Sequence, residues 1–145
     1  MRKKGFTLVE IMFVVLIISF LLSLVVIQGT ELKKRANESN AQANLKAMAA
    51  AFEIYAAANN GAYAPGQETN LQFLIDAKCA TQDFLSLNQV GYYRYVAGSI
   101  SPSGYDIRAL AVSEALAGHN YQITTGARIK RSDTPGPTDT NFKDY

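Results

Sequence analysis

Between Phe6 and Ile27 the chain runs FTLVEIMFVVLIISFLLSLVVI, 22 residues with a single charge, Glu10. As a helix this stretch would be about 33 Å long, which matches the hydrocarbon core of a bilayer. A secretory signal peptide has a shorter apolar region followed by a small-residue cleavage site. Here Gln28, Gly29 and Thr30 lead straight into Glu31, Leu32 and Lys33, so the span is expected to be retained. Arg2, Lys3 and Lys4 precede it and Lys33, Lys34 and Arg35 follow it. The basic side chains therefore tie, and the free amino terminus tips the orientation toward a cytoplasmic N-terminus. Glu10 asks for a reason: a carboxylate in such a span costs on the order of 2 to 3 kcal/mol near the bilayer centre unless something meets it.

The remainder of the 145-residue chain suffices for one modest domain. Formal charge is +2, from 14 basic and 12 acidic residues. Three of the bases sit in the first four residues, so the rest of the chain is close to neutral. No basic stripe remains to suggest a nucleic-acid footprint. Cys79 is the only cysteine; no internal disulfide can form, and a small buried hydrophobe is its expected role.

Past the span, Leu45, Met48, Phe52 and Tyr55 repeat at helical spacing, with Lys46 and Glu53 off that stripe. Alanines around them favour helix, and Asn59-Asn60-Gly61 supplies a stop, with Gly61 suited to a left-handed cap. Asn70 is expected to cap a short helix from Leu71 to near Ala80, with a further turn at Phe84, Leu85 and Leu87. Tyr92–Ala97 and Tyr105–Val112 flank the turn-rich segment Gly98–Gly104 and predict a hairpin. Tyr105, Ile107 and Ala109 alternate with Asp106 and Arg108 as in a half-buried strand. Tyr121–Thr125 and Ala127–Lys130 predict a second pair around Gly126. From Ser132 onward, Pro135, Gly136 and Pro137 argue for an irregular tail. The expected fold class is α+β: a long N-terminal helix, membrane-spanning then amphipathic, against a small antiparallel sheet.

Lys4-Gly5-Phe6-Thr7-Leu8-Val9-Glu10, followed by the apolar run, resembles the processing motif of type IV prepilins and type II secretion pseudopilins. Tyr55 and the segment Asn60-Gly61-Ala62-Tyr63-Ala64-Pro65 are similar to the turn that ends the long helix in major pilins and G-type pseudopilins. Two departures stand out: Ala64 separates the usual Tyr-Pro pair, and no proline precedes Pro65, although the family often has one late in the apolar helix. The resemblance implies cleavage by a prepilin peptidase between Gly5 and Phe6, N-methylation of Phe6, and pairing of Glu10 with the N-terminal amine of a neighbouring copy. It divides the chain into a leader (1–5), a transmembrane and assembly helix (6–28), an amphipathic continuation (29–60) and an α+β head with its tail (61–145). The implied function is a structural subunit of a type IV pilus-like filament or a type II secretion pseudopilus. The implied partners are further copies of itself, the peptidase, and an inner-membrane assembly platform with its ATPase. The implied location is the cytoplasmic membrane, single-pass with the head outside the cytoplasm, then a periplasmic pseudopilus or a surface pilus. Lack of a C-terminal cysteine pair leans toward the pseudopilin or major-subunit end. The alternative is a non-polymerising bitopic protein whose head binds a ligand or partner.

G-type pseudopilins hold calcium in their C-terminal region, which makes Asp133, Asp139 and Asp144 candidate ligands. Their spacing matches no recognisable loop pattern, and solvated tail charges are the favoured reading. Tyr92, Tyr93 and Tyr95 around Arg94 could stack on bases, yet without a positive field they read as an aromatic strand with one buried face. His119, the sole histidine, reads as a solvated turn residue. No nucleophile, phosphate-loop or metal-helix pattern is present, so no enzyme is expected.

Overall fold

The computed structural model describes residues 5–87, 89–136 and 141–144, with the backbone alone for 25–28. The leader residues 1–4 lie outside this range. Helix α1 spans Leu8–Ala58, 51 residues without a break, about 75 Å. No proline interrupts it and Gly29 lies within it. It ends where expected: Asn60 and Gly61 both take left-handed backbone angles, φ 55° and 85°. The Gly61 amide donates back to Ala56 O at 2.8 Å, satisfying a carbonyl that the helix would otherwise leave open.

Five strands follow among the described residues, β1 (Tyr93–Ser101), β2 (Gly104–Ala111), β3 (His119–Thr124), β4 (Arg128–Pro135) and β5 (Phe142–Asp144). Each pairs antiparallel with the next in sequence, giving the order β1-β2-β3-β4-β5. Both predicted hairpins are present. The first reaches further into its connector than the turn residues suggested, with Ser101 opposite Gly104 and a bulge between Ala97 and Ser99. A Cβ on Gly98, inside that bulge, would strike the Asp106 carboxylate, so any larger residue would have to displace the paired Asp106 and Arg108 side chains.

The core lies where the sheet meets one stripe of α1. Leu45, Met48 and Phe52 are buried against Tyr93, Tyr95, Tyr105, Ile107, Ala109, Tyr121 and Ile123. Phe52 stacks on Tyr105 with ring centroids 4.4 Å apart and planes 9° from parallel. The tyrosine run thus has one buried face: Tyr93 and Tyr95 point inward while Tyr92 and Arg94 stay exposed.

Three expectations change. Helix α2 is only Gln72–Asp76, and Asn70 contributes a local turn (Oδ1 accepting from the Gln72 amide) instead of the N-cap. Lys78, at φ 57°, turns the chain before Ala80 can be reached. The Phe84–Leu87 segment is not helical, because Asp83 Oδ1 accepts from the amides of Leu85 and Ser86 and holds a side-chain turn. The tail is not irregular: β4 continues to Pro135, and β5 returns to pair Ser132 with Phe142 and Lys130 with Asp144. Pro135 is itself the last residue of β4, and the Gly136 amide still donates to Gly118 O at 3.1 Å, so proline and glycine here do not end regular structure.

Polar contacts clamp the sheet to α1 at both ends. At the upper end, Glu53 accepts from Tyr63 OH (3.3 Å), Tyr105 OH (3.2 Å) and the Gly126 amide (3.2 Å). At the lower end, Asn37 Nδ2 donates to Leu116 O at 2.6 Å and the His119 amide donates to Glu38 Oε1 at 3.0 Å. His119 is accordingly no solvated turn residue; it opens β3 with its ring Nδ1 3.3 Å from the same carboxylate oxygen. A Cβ on Gly118 would collide with that carboxylate, which would have to swing away from its place beside the loop.

Burial pushes the phenols of Tyr93, Tyr95 and Tyr105 well up from their ordinary range. The folded head binds these protons more tightly than the unfolded chain does, so their stabilising contribution is complete below the unfolded value and drains as pH rises toward the folded one. Unfolding is therefore expected to set in above about pH 10, with tyrosinate absorbance and circular dichroism changing together. Phenol titration that leaves the dichroism intact would contradict this packing.

Candidate assembly and processing site

The site is built at the first turn of α1. A helix start leaves four backbone amides without partners. Here Thr7 is the N-cap, in extended conformation, and its Oγ1 accepts from the Glu10 amide at 3.2 Å. Glu10 reaches back in turn: its Oε2 accepts from the Thr7 amide at 2.8 Å and from Thr7 Oγ1 at 2.9 Å. This reciprocal pair is a capping box, and it also brings a negative charge to the positive end of the helix dipole. Among the described residues both of the carboxylate's bonds fall on Oε2, which leaves Oε1 to a further donor.

Gly5 and Phe6 stand immediately before the cap, exposed and outside the helix. Phe6 is 84% exposed. Every large apolar side chain described from Phe6 to Leu24 is exposed too, on all sides of the helix. The helix is long and apolar enough to cross a membrane. Ser19 and Ser23, the only polar interruptions beyond Glu10, turn their hydroxyls onto Val15 O (2.8 Å) and Phe20 O (2.7 Å). No donor is left open to the apolar surroundings at either position.

Sequence reasoning singled out Gly5, Phe6 and Glu10, which the structure places within one short segment, but missed Thr7. The signal was legible, since threonine followed three residues later by glutamate before an apolar run is the capping-box spacing. Glu53, off the apolar stripe, and Glu38 give no local signal as anchors, because the Gly126 and His119 amides they accept from lie 73 and 81 residues away in sequence.

The calcium candidates occupy the far edge of the sheet. Asp133 Oδ2 lies 2.6 Å from Lys143 Nζ and 3.5 Å from Asn141 Nδ2. Asp144 Oδ1 lies 3.7 Å from Arg128 Nη2 and 3.8 Å from Lys130 Nζ. Asp139 falls outside the described residues. Calcium takes six to eight oxygen ligands, whereas these two carboxylates are already faced by nitrogen cations. Among the described residues no three His, Cys, Asp or Glu side chains gather as a metal-binding group. The described donors do not fit the ion.

Residues 1–26 match the prokaryotic N-terminal methylation motif. The chain is 33% identical over 110 residues to type II secretion system core protein G of Pseudomonas aeruginosa, covering 76% of this chain and 75% of that protein. It is 36% identical over 93 residues to the core protein G of Klebsiella pneumoniae, where 64% of this chain and 65% of that protein are covered. For the core protein G of Escherichia coli K12, identity is 31% over 93 residues, with coverage of 64% and 63%. The alignments therefore span a little under two thirds of these last two proteins. No solved structure matches the chain. With the processing motif at its head, one apolar helix and a pilin-like α+β fold, the chain belongs to the type II secretion system core protein G family, the G-type pseudopilins, as a structural protein and not an enzyme.

Proposed function

We propose that this chain is a polymerising subunit of a type II secretion pseudopilus, matured by removal of residues 1–5 and methylation of Phe6. The observation that carries the reading is the Thr7–Glu10 box placed one residue beyond the Gly5–Phe6 junction, at the head of an apolar helix exposed on every side. Cleavage there would create an ammonium next to a carboxylate that still has one oxygen to offer. A capped Glu10 is not a bare charge, which lets the subunit wait in the bilayer at lower cost than an unmet acid. On assembly, Oε1 would take the amine of an adjacent copy while Oε2 keeps its own cap, and that match rewards one stagger between subunits. The apolar surface of the first half of α1 would be buried among neighbouring helices as the subunit leaves the lipid.

In this reading the precursor sits in the inner membrane with its N-terminus in the cytoplasm and its head outside. A prepilin peptidase, an assembly platform and its ATPase are the partners it requires. Calcium is not required at the tail aspartates, and nucleic acid is not a partner.

The mature protein is expected to lack Met1–Gly5 and carry one added methyl group, measured as intact mass from peptidase-positive cells. An unprocessed, monomeric protein would instead favour the non-polymerising bitopic alternative. Glu10→Ala should lower the yield of sheared filaments by about tenfold or more, the factor that loss of roughly 1.4 kcal/mol per subunit contact produces. Head stability should not change, because Glu10 touches nothing in the head. Thr7→Ala should give a milder loss, since the removed cap is worth about 1 kcal/mol. Normal filament yield from Glu10→Ala would remove the registry role of the carboxylate.

A further inference from the structure

The C-terminal strand is short, polar and at the edge of the sheet, so its ladder to β4 cannot by itself hold it firmly. Each of its three residues is nevertheless tied by a charged contact. Lys143 Nζ meets Asp133 Oδ2 on β4 at 2.6 Å. Asp144 Oδ1 lies between Arg128 Nη2 and Lys130 Nζ, at 3.7 and 3.8 Å. The Phe142 ring lies 5.9 Å from the Arg108 guanidinium carbon on β2, within cation–π range. That guanidinium is itself fixed by Asp106, through Nη2 to Oδ2 at 2.8 Å and Nε to Oδ1 at 3.4 Å. Gln122 Nε2 holds the same carboxylate from β3 at 2.9 Å.

We infer that four cationic side chains, Arg108, Arg128, Lys130 and Lys143, close the C-terminal edge of this head in place of the calcium ion that its family resemblance implies, and that the edge folds without a divalent metal. A calcium ion brought to Asp133 would meet the Lys143 ammonium on the same oxygen, and one brought to Asp144 would meet two more cations. Like charges at such separations repel strongly enough that the metal would first have to displace the side chains. Two consequences distinguish this lock from a metal site. It is made of exposed ion pairs, so salt screens it. A chelator has nothing to remove.

The test is hydrogen exchange of the segment containing Phe142–Asp144 in the full-length protein in detergent micelles. Excess EDTA or added calcium chloride is expected to leave its exchange unchanged. Lys143→Met should speed it by about two- to fivefold, as loss of an exposed ion pair would, and molar sodium chloride should do the same to the wild type. The exchanged pair, Asp133→Lys with Lys143→Asp, should restore protection at low salt. Faster exchange in EDTA that calcium reverses would overturn the inference. Wild-type exchange in Lys143→Met would overturn it equally. If that variant does not fold, the wild-type salt and chelator series gives the same decision. Because exchange is read on the unassembled chain, the outcome is independent of whether filaments form.

Discussion

One helix has to satisfy two solvents. Up to Leu24, α1 presents apolar side chains on all sides and buries none of them within its own chain. From Ala41 onward only a stripe is apolar and buried, and the sheet is laid along that stripe with Phe52 on Tyr105 at its centre. The two halves cannot exchange roles. An all-round apolar helix offers the sheet no unique face, and a one-sided helix would bring Lys46 and Asn44 into lipid. The change of pattern along one unbroken element therefore decides which half can meet other helices and which half carries the head.

Three carboxylates on that helix do related work at three heights. Glu10 accepts from the Thr7 amide, Glu38 from the His119 amide and Glu53 from the Gly126 amide. In each case the donor is a backbone N–H in a turn, cap or strand end, where no ladder would otherwise reach it. The helix thus fastens the chain at its own start and at the two ends of the β3 region. Hydrogen bonds to a charged acceptor are stronger than neutral ones, so a few such points suffice to set how the sheet sits on the helix.

What the sequence disclosed and what it hid divides along physical lines. The span, the Leu45–Phe52 stripe, the Asn60-Gly61 stop and the two hairpins were legible because each is periodic or local. The α2 boundary failed because Asn70 and a left-handed Lys78 compete locally with helix, and the turn at 84–87 is held by the Asp83 side chain, which propensity alone does not weigh. Strand β5 was invisible for another reason: it has almost no apolar alternation, and its hold is charge on charge. His119 and Glu53 looked like solvated polar residues because their partners are assembled only by the fold. At the candidate site the motif residues could be read directly, whereas Thr7 shows its role only through its three-residue spacing to Glu10.

The stretch of α1 below the head carries a mechanical meaning. Residues 30–33 are exposed, and the sheet first takes hold of the helix at Asn37 and Glu38. For a span that ends near Ile27, ten residues of helix raise that first hold by about 15 Å, more than the thickness of one headgroup layer. In a membrane-anchored subunit this length of helix would hold the head clear of the lipid surface, with a bare stalk between the two.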